Sequence, residues 1–261
     1  MPIGKTGDAG ACVSGSALGG MTDTNTETLM TFRISDPRLA GLVYLLLVLT
    51  GIFNLIYVPS LTVAGRDPLE TLEAIRSQHV LFAAGACVGL LSYVLYLCLP
   101  VILHRVLQPH GSTLARLMVL LTAVSIPISF IAIAEKFAIL DSLQVSATLD
   151  AELLASSVME HLERYRSLIG LSSIFWGLWL IPRAILSGRA RLVPWPLAVL
   201  LGLGGLAFLI EFVVPLFWSG FSGSLVQTIV GTPSSLGELG TCLWLLLAPH
   251  SRFRTKQSAA A

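Results

Sequence analysis

The run from Leu39 to Val58, LAGLVYLLLVLTGIFNLIYV, decides the class of fold. Its 20 residues include no charge. At about 1.5 Å rise per residue, a helix of that length crosses the roughly 30 Å hydrocarbon core of a bilayer. Lipid offers no water to the backbone, so such a run is stable there as a helix that satisfies its own amides. Five similar runs follow, at roughly His79–Leu103, Leu114–Leu140, Leu168–Leu186, Leu197–Phe217 and Ile229–Leu247. The expected fold is all-α: a polytopic membrane bundle of six transmembrane helices filling residues 39–248. Short connections make consecutive spans antiparallel neighbours.

The whole composition agrees. Of 261 residues, 54% are hydrophobic and 12% charged, with a mean hydropathy of +0.81. Soluble domains carry about 25% charged residues. Charge is scarce because each ion placed mid-membrane costs on the order of 2.5–3.5 kcal/mol on insertion scales. A net charge of +1 argues against a nucleic-acid partner. Cys12 lies in the N-terminal tail, while Cys87, Cys98 and Cys242 lie in apolar runs, where they read as small hydrophobes between helices. No CxxC or Cys/His cluster suggests a metal or a disulfide framework, and no cofactor motif stands out.

Residues 1–38 are rich in Gly, Ser, Thr and Ala and hold no apolar stretch long enough for a signal peptide. They read as a disordered tail. Met21 and Met30 offer alternative starts to Met1. Residues 249–261 read as a second tail. Between the first two spans, DPLETLEAIRSQ predicts a surface helix capped by Asp67, with Pro68 in its first position and Glu70 in its first turn. Between the third and fourth, Leu154, Val158, Leu162 and Tyr165 form one stripe at helical spacing. Pro127, between Ser125 and Ser129, bends the third span, and those hydroxyls are placed to help re-satisfy its backbone.

Lys and Arg placement sets the orientation. With the N-terminus inside, the inner segments hold eleven: Lys5, Arg33, Arg38, Arg105, Arg116, Arg183, Arg189, Arg191, Arg252, Arg254 and Lys256. The outer side holds five: Arg66, Arg76, Lys136, Arg164 and Arg166. Both termini are therefore expected in the cytoplasm.

Several stretches resemble one bacterial family, known as domain of unknown function 4386. They are AGLVYLLLVLTGIFNLIYVPS, LFAAGACVGLLSYVLYLCLPVILHRVL, SIPISFIAIAEKFAIL, IFWGLWLIPRAILSGRARLVPWPLAVLLGLGGLAFL and LGELGTCLWLLLAP. The most specific pieces are the FWGLWLIP run, Phe175–Pro182, and the GEL…LWLL run, Gly237–Leu247. The resemblance implies a six-span bacterial protein, multi-pass in the inner (cytoplasmic) membrane. It implies no activity.

Three acids inside apolar runs stand out: Glu135, Glu211 and Glu238. Counting helical rise along the oriented spans places all three between the midplane and the outer surface. Asn54 and His79 fall at similar depth. The functional reading is an outward-facing polar pocket lined by Glu135, Glu211, Glu238, Asn54 and His79. Glu211 and Glu238 are the catalytic candidates, because intramembrane acids mark relays and ligand sites. Structural readings stand beside it. Glu135 and Lys136 also read as an interfacial pair with Lys136 snorkelling outward. Glu211 also reads as a packing contact, His79 as an interfacial residue and His161 as part of a solvated helix face. Gly202, Gly204 and Gly205 let helices approach closely. Trp176, Trp179, Trp195, Trp218 and Trp244 read mostly as an aromatic belt near span ends.

The function expected from these residues is binding of a lipid, a small hydrophobic ligand or a partner in that pocket. One alternative is a membrane enzyme acting on a lipid or isoprenoid, for example by cyclase-type proton chemistry at a buried Glu. A second is a small transporter. It needs a continuous polar path that the second, third and fifth spans do not display in sequence, although homo-oligomerisation offers another route.

Overall fold

The computed structural model describes residues 37–63, 67–145 and 150–248. The two expected tails, with Cys12, Met21, Met30 and their charges, lie outside the described residues apart from Pro37 and Arg38. Eight α-helices are described: α1 Pro37–Ile52, α2 Val58–Thr62, α3 Pro68–Ser77, α4 His79–Leu107, α5 Ser112–Val145, α6 Ala151–Arg189, α7 Trp195–Val213 and α8 Leu225–Leu247. No strand is present among the described residues.

Five stretches are long and apolar enough to cross a membrane: Pro37–Thr62, His79–His110, Ser112–Gln144, Ala151–Arg189 and Trp195–Leu216. The chain is a polytopic, all-α membrane protein. Helix α8 has the length, at 23 residues, but is not among the five. Pro233, Ser234, Ser235, Gly237 and Glu238 interrupt its apolar run.

Local chemistry sets the helix boundaries. Pro59 has no N–H to bond the carbonyl four residues back, and its ring crowds that carbonyl. The ladder slips just before it into a π turn, Phe53–Tyr57, where the Val58 N–H reaches Phe53 O. Asp67 caps α3 by accepting from the Glu70 N–H at 2.7 Å, with Pro68 at the first position. Ser224 caps α8 in the same way, accepting from the Gln227 N–H.

Around the bundle the neighbours run α1, α4, α5, α6, α7, α8 and back to α1. Exposed apolar residues line the outside at helical spacing: Leu42, Leu46, Leu49 and Ile56 on the first span, and Val199, Leu203, Leu206, Ile210 and Val213 on α7. A continuous apolar exterior of this kind has lipid as its solvent. Two glycines set a close backbone contact between α6 and α7. A Cβ on Gly177 would stand 2.6 Å from Gly205 O, and one on Gly205 would stand 2.7 Å from Gly177 O. Only hydrogen allows α6 and α7 to meet there.

A second apolar cluster closes the end of the bundle at which α3 lies. It joins Val58, Leu72, Ile75, Phe82, Ile139, Leu154, Val158 and Leu162. The stripe of Leu154, Val158, Leu162 and Tyr165 is buried, and its helix is continuous with the fourth span as α6. This end is called the cap end, and the opposite one, where α1 begins, the Pro37 end.

Not every expectation about packing holds. Trp176 and Trp179 face the core instead of an interfacial belt, and Trp179 is buried against Tyr96. Trp195 and Trp218 are exposed, while Trp244 Nε1 donates to Leu192 O at 3.1 Å and ties α8 to the α6–α7 turn. Cys242 packs between helices as expected, whereas Cys87 and Cys98 face outward.

Candidate functional site

The sequence suggested one pocket for five residues. The structure distributes them over five places. Glu238 joins Tyr44 of α1 and Arg183 of α6. Glu238 Oε2 accepts from the Tyr44 hydroxyl at 3.1 Å, and that hydroxyl accepts from Arg183 Nη1 at 2.8 Å. Ser234, one turn earlier on α8, donates to Glu238 Oε1 at 3.4 Å. The guanidinium lies 4.4 Å over the Tyr44 ring and 4.9 Å over the Trp179 ring. Tyr44 and Arg183 are fully buried, while Glu238 keeps part of its surface open. Aromatic faces replace some of the solvation that a cation loses in lipid, and Tyr44 couples it to the carboxylate. This group lies toward the Pro37 end: Tyr44 is seven residues into α1 and Arg183 six before the end of α6.

Asn54 lies in the π turn and is buried with Lys136 of α5. Lys136 Nζ donates to Asn54 Oδ1 at 2.7 Å and stands 4.5 Å over the Tyr165 ring. Lys136 therefore does not snorkel outward. The turn of helix that aims it at Asn54 leaves its chain neighbour Glu135 pointing elsewhere. Room for Asn54 comes from Gly89, where a Cβ would meet Ile133 Cδ1 at 2.7 Å and Asn54 Nδ2 at 2.9 Å.

Glu135 pairs with His161 of α6, Oε2 to Nδ1 at 2.6 Å, so His161 is not simply a solvated face. Glu135 borders a groove of about 550 Å³ at the cap end, lined also by Glu160, Glu163, Arg164, Ser167 and Leu168. Arg164 is bonded to Glu160 one turn away. Glu211 lies against α8, with Oε1 2.6 Å from where a Cβ on Gly231 would stand. His79 is exposed at the first residue of α4. Among the described residues no group of three His, Cys, Asp or Glu side chains is placed to hold a metal.

Reading for acids missed Tyr44, Arg183, Tyr165 and the hydroxyls between them. One signal was available: Thr122, Ser125, Ser129 and Lys136 recur on one face of a helix that is otherwise apolar.

A family model described as a domain of unknown function, DUF4386, matches residues 39–248. No curated protein and no solved structure matches the chain.

Proposed function

The chain belongs to the DUF4386 family, which brings no assigned chemistry, and from its own geometry we propose a six-span protein of the bacterial inner membrane that binds an amphipathic molecule. The site is the groove at the cap end, which faces outward when both termini are cytoplasmic. Charge supports that orientation. Of the arginines in the described helices and turns, Arg38, Arg105, Arg116, Arg183, Arg189 and Arg191 lie toward the Pro37 end, against Arg76, Arg164 and Arg166 toward the cap end. The sixth span is α8. It presents Ile229, Leu236, Leu239, Leu243 and Leu247 outward and packs between α1 and α7.

The observation that carries the binding reading is Glu135 in the groove wall, paired with His161 behind it. Their side chains are 18% and 23% exposed, enough to meet a ligand without leaving the bundle. Three carboxylates line the groove and Arg164 engages one of them. That set suits a cationic or hydrogen-bond-donating headgroup, with Leu168 marking where the apolar wall begins. The test is native mass spectrometry of the protein released from lipid nanodiscs that carry defined amphiphiles. Wild type should retain a cationic or neutral-donor amphiphile and Glu135→Gln should release it. No retention by wild type, or equal retention by the variant, would refute the reading.

A second reading follows from the carboxylate held by Tyr44 and Ser234: proton chemistry on a lipid or isoprenoid at Glu238. Product formation that is lost in Glu238→Gln and kept in Glu135→Gln would favour that enzyme over the binder.

A further inference from the structure

The Pro37 end carries exposed cations from two separate helix hairpins. Arg105 lies in the last turn of α4 and Arg116 in the second turn of α5, on either side of the turn around Gly111. Arg189 ends α6, and Arg191 follows it in the turn to α7. All four side chains are exposed, and among the described residues none of them meets a carboxylate. Composition makes this so, since no Asp or Glu occurs from residue 79 to 134 or from 164 to 210. The fold then brings the two turns together. A Cβ on Gly111 would stand 3.0 Å from Leu186 Cδ2 and 3.5 Å from Arg189 Nη1, so the Arg189 guanidinium lies against the α4–α5 turn. Arg116 bends back to the same turn, its Nε donating to Ser112 O at 3.3 Å. Two like charges gathered at one turn repel each other unless an anion joins them.

Arg191 occupies a backbone position that ordinarily belongs to glycine. Helix α6 ends with the Leu192 N–H bonded to Ser187 O at 2.9 Å and the Arg191 N–H bonded to Gly188 O at 3.0 Å. That pattern needs a left-handed residue between the two, where a Cβ is unfavourable. Arg191 takes it with φ 49°, the one non-glycine residue at positive φ among the described residues. The turn around it is held firmly. Leu192 and Val193 are buried, and Trp244 Nε1 donates to Leu192 O at 3.1 Å. A cation is thus kept on a rigid turn at some cost in backbone strain, and such strain gathers where a side chain is needed for binding.

Each of these arginines also stands above lipid-facing surface. Val101 lies four residues before Arg105, Leu120 four after Arg116 and Ile185 four before Arg189, each one turn deeper in the bundle and exposed by 45%, 61% and 41%. Residues four apart share a helix face, so charge sits directly over an apolar strip on three helices. Trp195, exposed at the first position of α7, stands at the same level. We propose that this end binds an anionic phospholipid. Arg116, Arg189 and Arg191 hold its phosphodiester, and its acyl chains lie along the strips below. A guanidinium offers paired N–H donors that match phosphate oxygens. Basic pockets between membrane helices recognise anionic headgroups in this way. A free phosphate would use the arginines alone, whereas a lipid uses the strips as well, and this favours the lipid. The site lies at the opposite end from the groove and does not rest on the groove's ligand.

Native mass spectrometry of the full chain in detergent micelles tests the site. The probes are dioleoyl phosphatidylglycerol and dioleoyl phosphatidylcholine, which share their chains and differ in net charge. Wild type should retain the first more strongly. Arg189→Gln and Arg191→Gln should each weaken that retention about fivefold, the worth of one arginine at an anionic membrane surface. Arg76→Gln makes the same charge change at the cap end and should leave retention as it was. Arg191→Gly separates binding from folding. It relieves the left-handed position, so the thermal midpoint should hold or rise while retention falls as in Arg191→Gln. A tenfold molar excess of inorganic phosphate over lipid should displace nothing. Equal retention of the two lipids, wild-type retention in both Gln variants, or an equal loss in Arg76→Gln would overturn the proposal. So would displacement by phosphate, which would mark a free-phosphate site, or a lowered midpoint in Arg191→Gly.

Discussion

Arg183 stacks 4.4 Å above the ring of Tyr44 and donates to the same residue's hydroxyl at 2.8 Å, so one side chain meets the cation with both its face and its edge oxygen. The Tyr44 proton is thereby directed at Glu238. Tyr44→Phe keeps the face and removes the bridge. Leaving a buried donor unpaired costs about 1–3 kcal/mol. A lower thermal midpoint in detergent is expected, and an unchanged midpoint would argue against the bridge.

Removing the cation itself should cost more. Arg183→Leu leaves the Glu238 carboxylate without its charge partner, and breaking a buried pair costs about 3–5 kcal/mol. Glu238→Gln in the same background should recover part of that loss, because it neutralises the abandoned charge. Thermal unfolding of the two single variants and the double variant measures the coupling.

Gly177→Ala should weaken the α6–α7 contact, since the new methyl would stand 2.6 Å from Gly205 O. Backbone must move to admit it, at a cost of about 1–3 kcal/mol. Gly51→Ala is the control, with nothing within 4 Å of the added methyl. Both are read by chemical denaturation in mixed micelles.

Gly89 and Asn54 should behave as a coupled pair. Gly89→Ala drives a methyl into Asn54 Nδ2 and Ile133 Cδ1 and should destabilise the chain. Shortening Asn54 to Ala relieves one of those clashes, so the double variant should lose less than the sum of the two singles. Additive losses would mean that the two side chains do not touch.

Lys136 should resist modification. It is 2% exposed, bonded to Asn54 and covered by Tyr165. A membrane-permeant amine reagent should leave it unlabelled in the folded protein and modify it after denaturation, with peptide mass spectrometry as the readout. Prompt labelling of the folded chain would contradict the burial.

Much of the architecture was legible without coordinates. An uncharged run such as Leu39–Val58 has one stable form in lipid, because its amides must bond within the run. Asp67 before Pro68 marked the start of α3, and the Leu154–Tyr165 stripe showed which face of α6 is covered. These features depend on residues within a few turns of each other. The sixth helix was harder to classify, because Glu238 and its small polar neighbours dilute its apolar character.

What the sequence determined by itself was the solvent, the helical class and the places where helices begin, all set by local backbone demands. What only the tertiary structure decided was the company each polar residue keeps. Lys136 was read as reaching outward and is instead turned onto Asn54, while its chain neighbour Glu135 faces His161. Adjacent residues on a helix point about 100° apart, so depth along a span says nothing of which neighbour a side chain meets. Tyr44, Arg183 and Glu238 are as much as 194 positions apart and share one cluster only because α1, α6 and α8 converge.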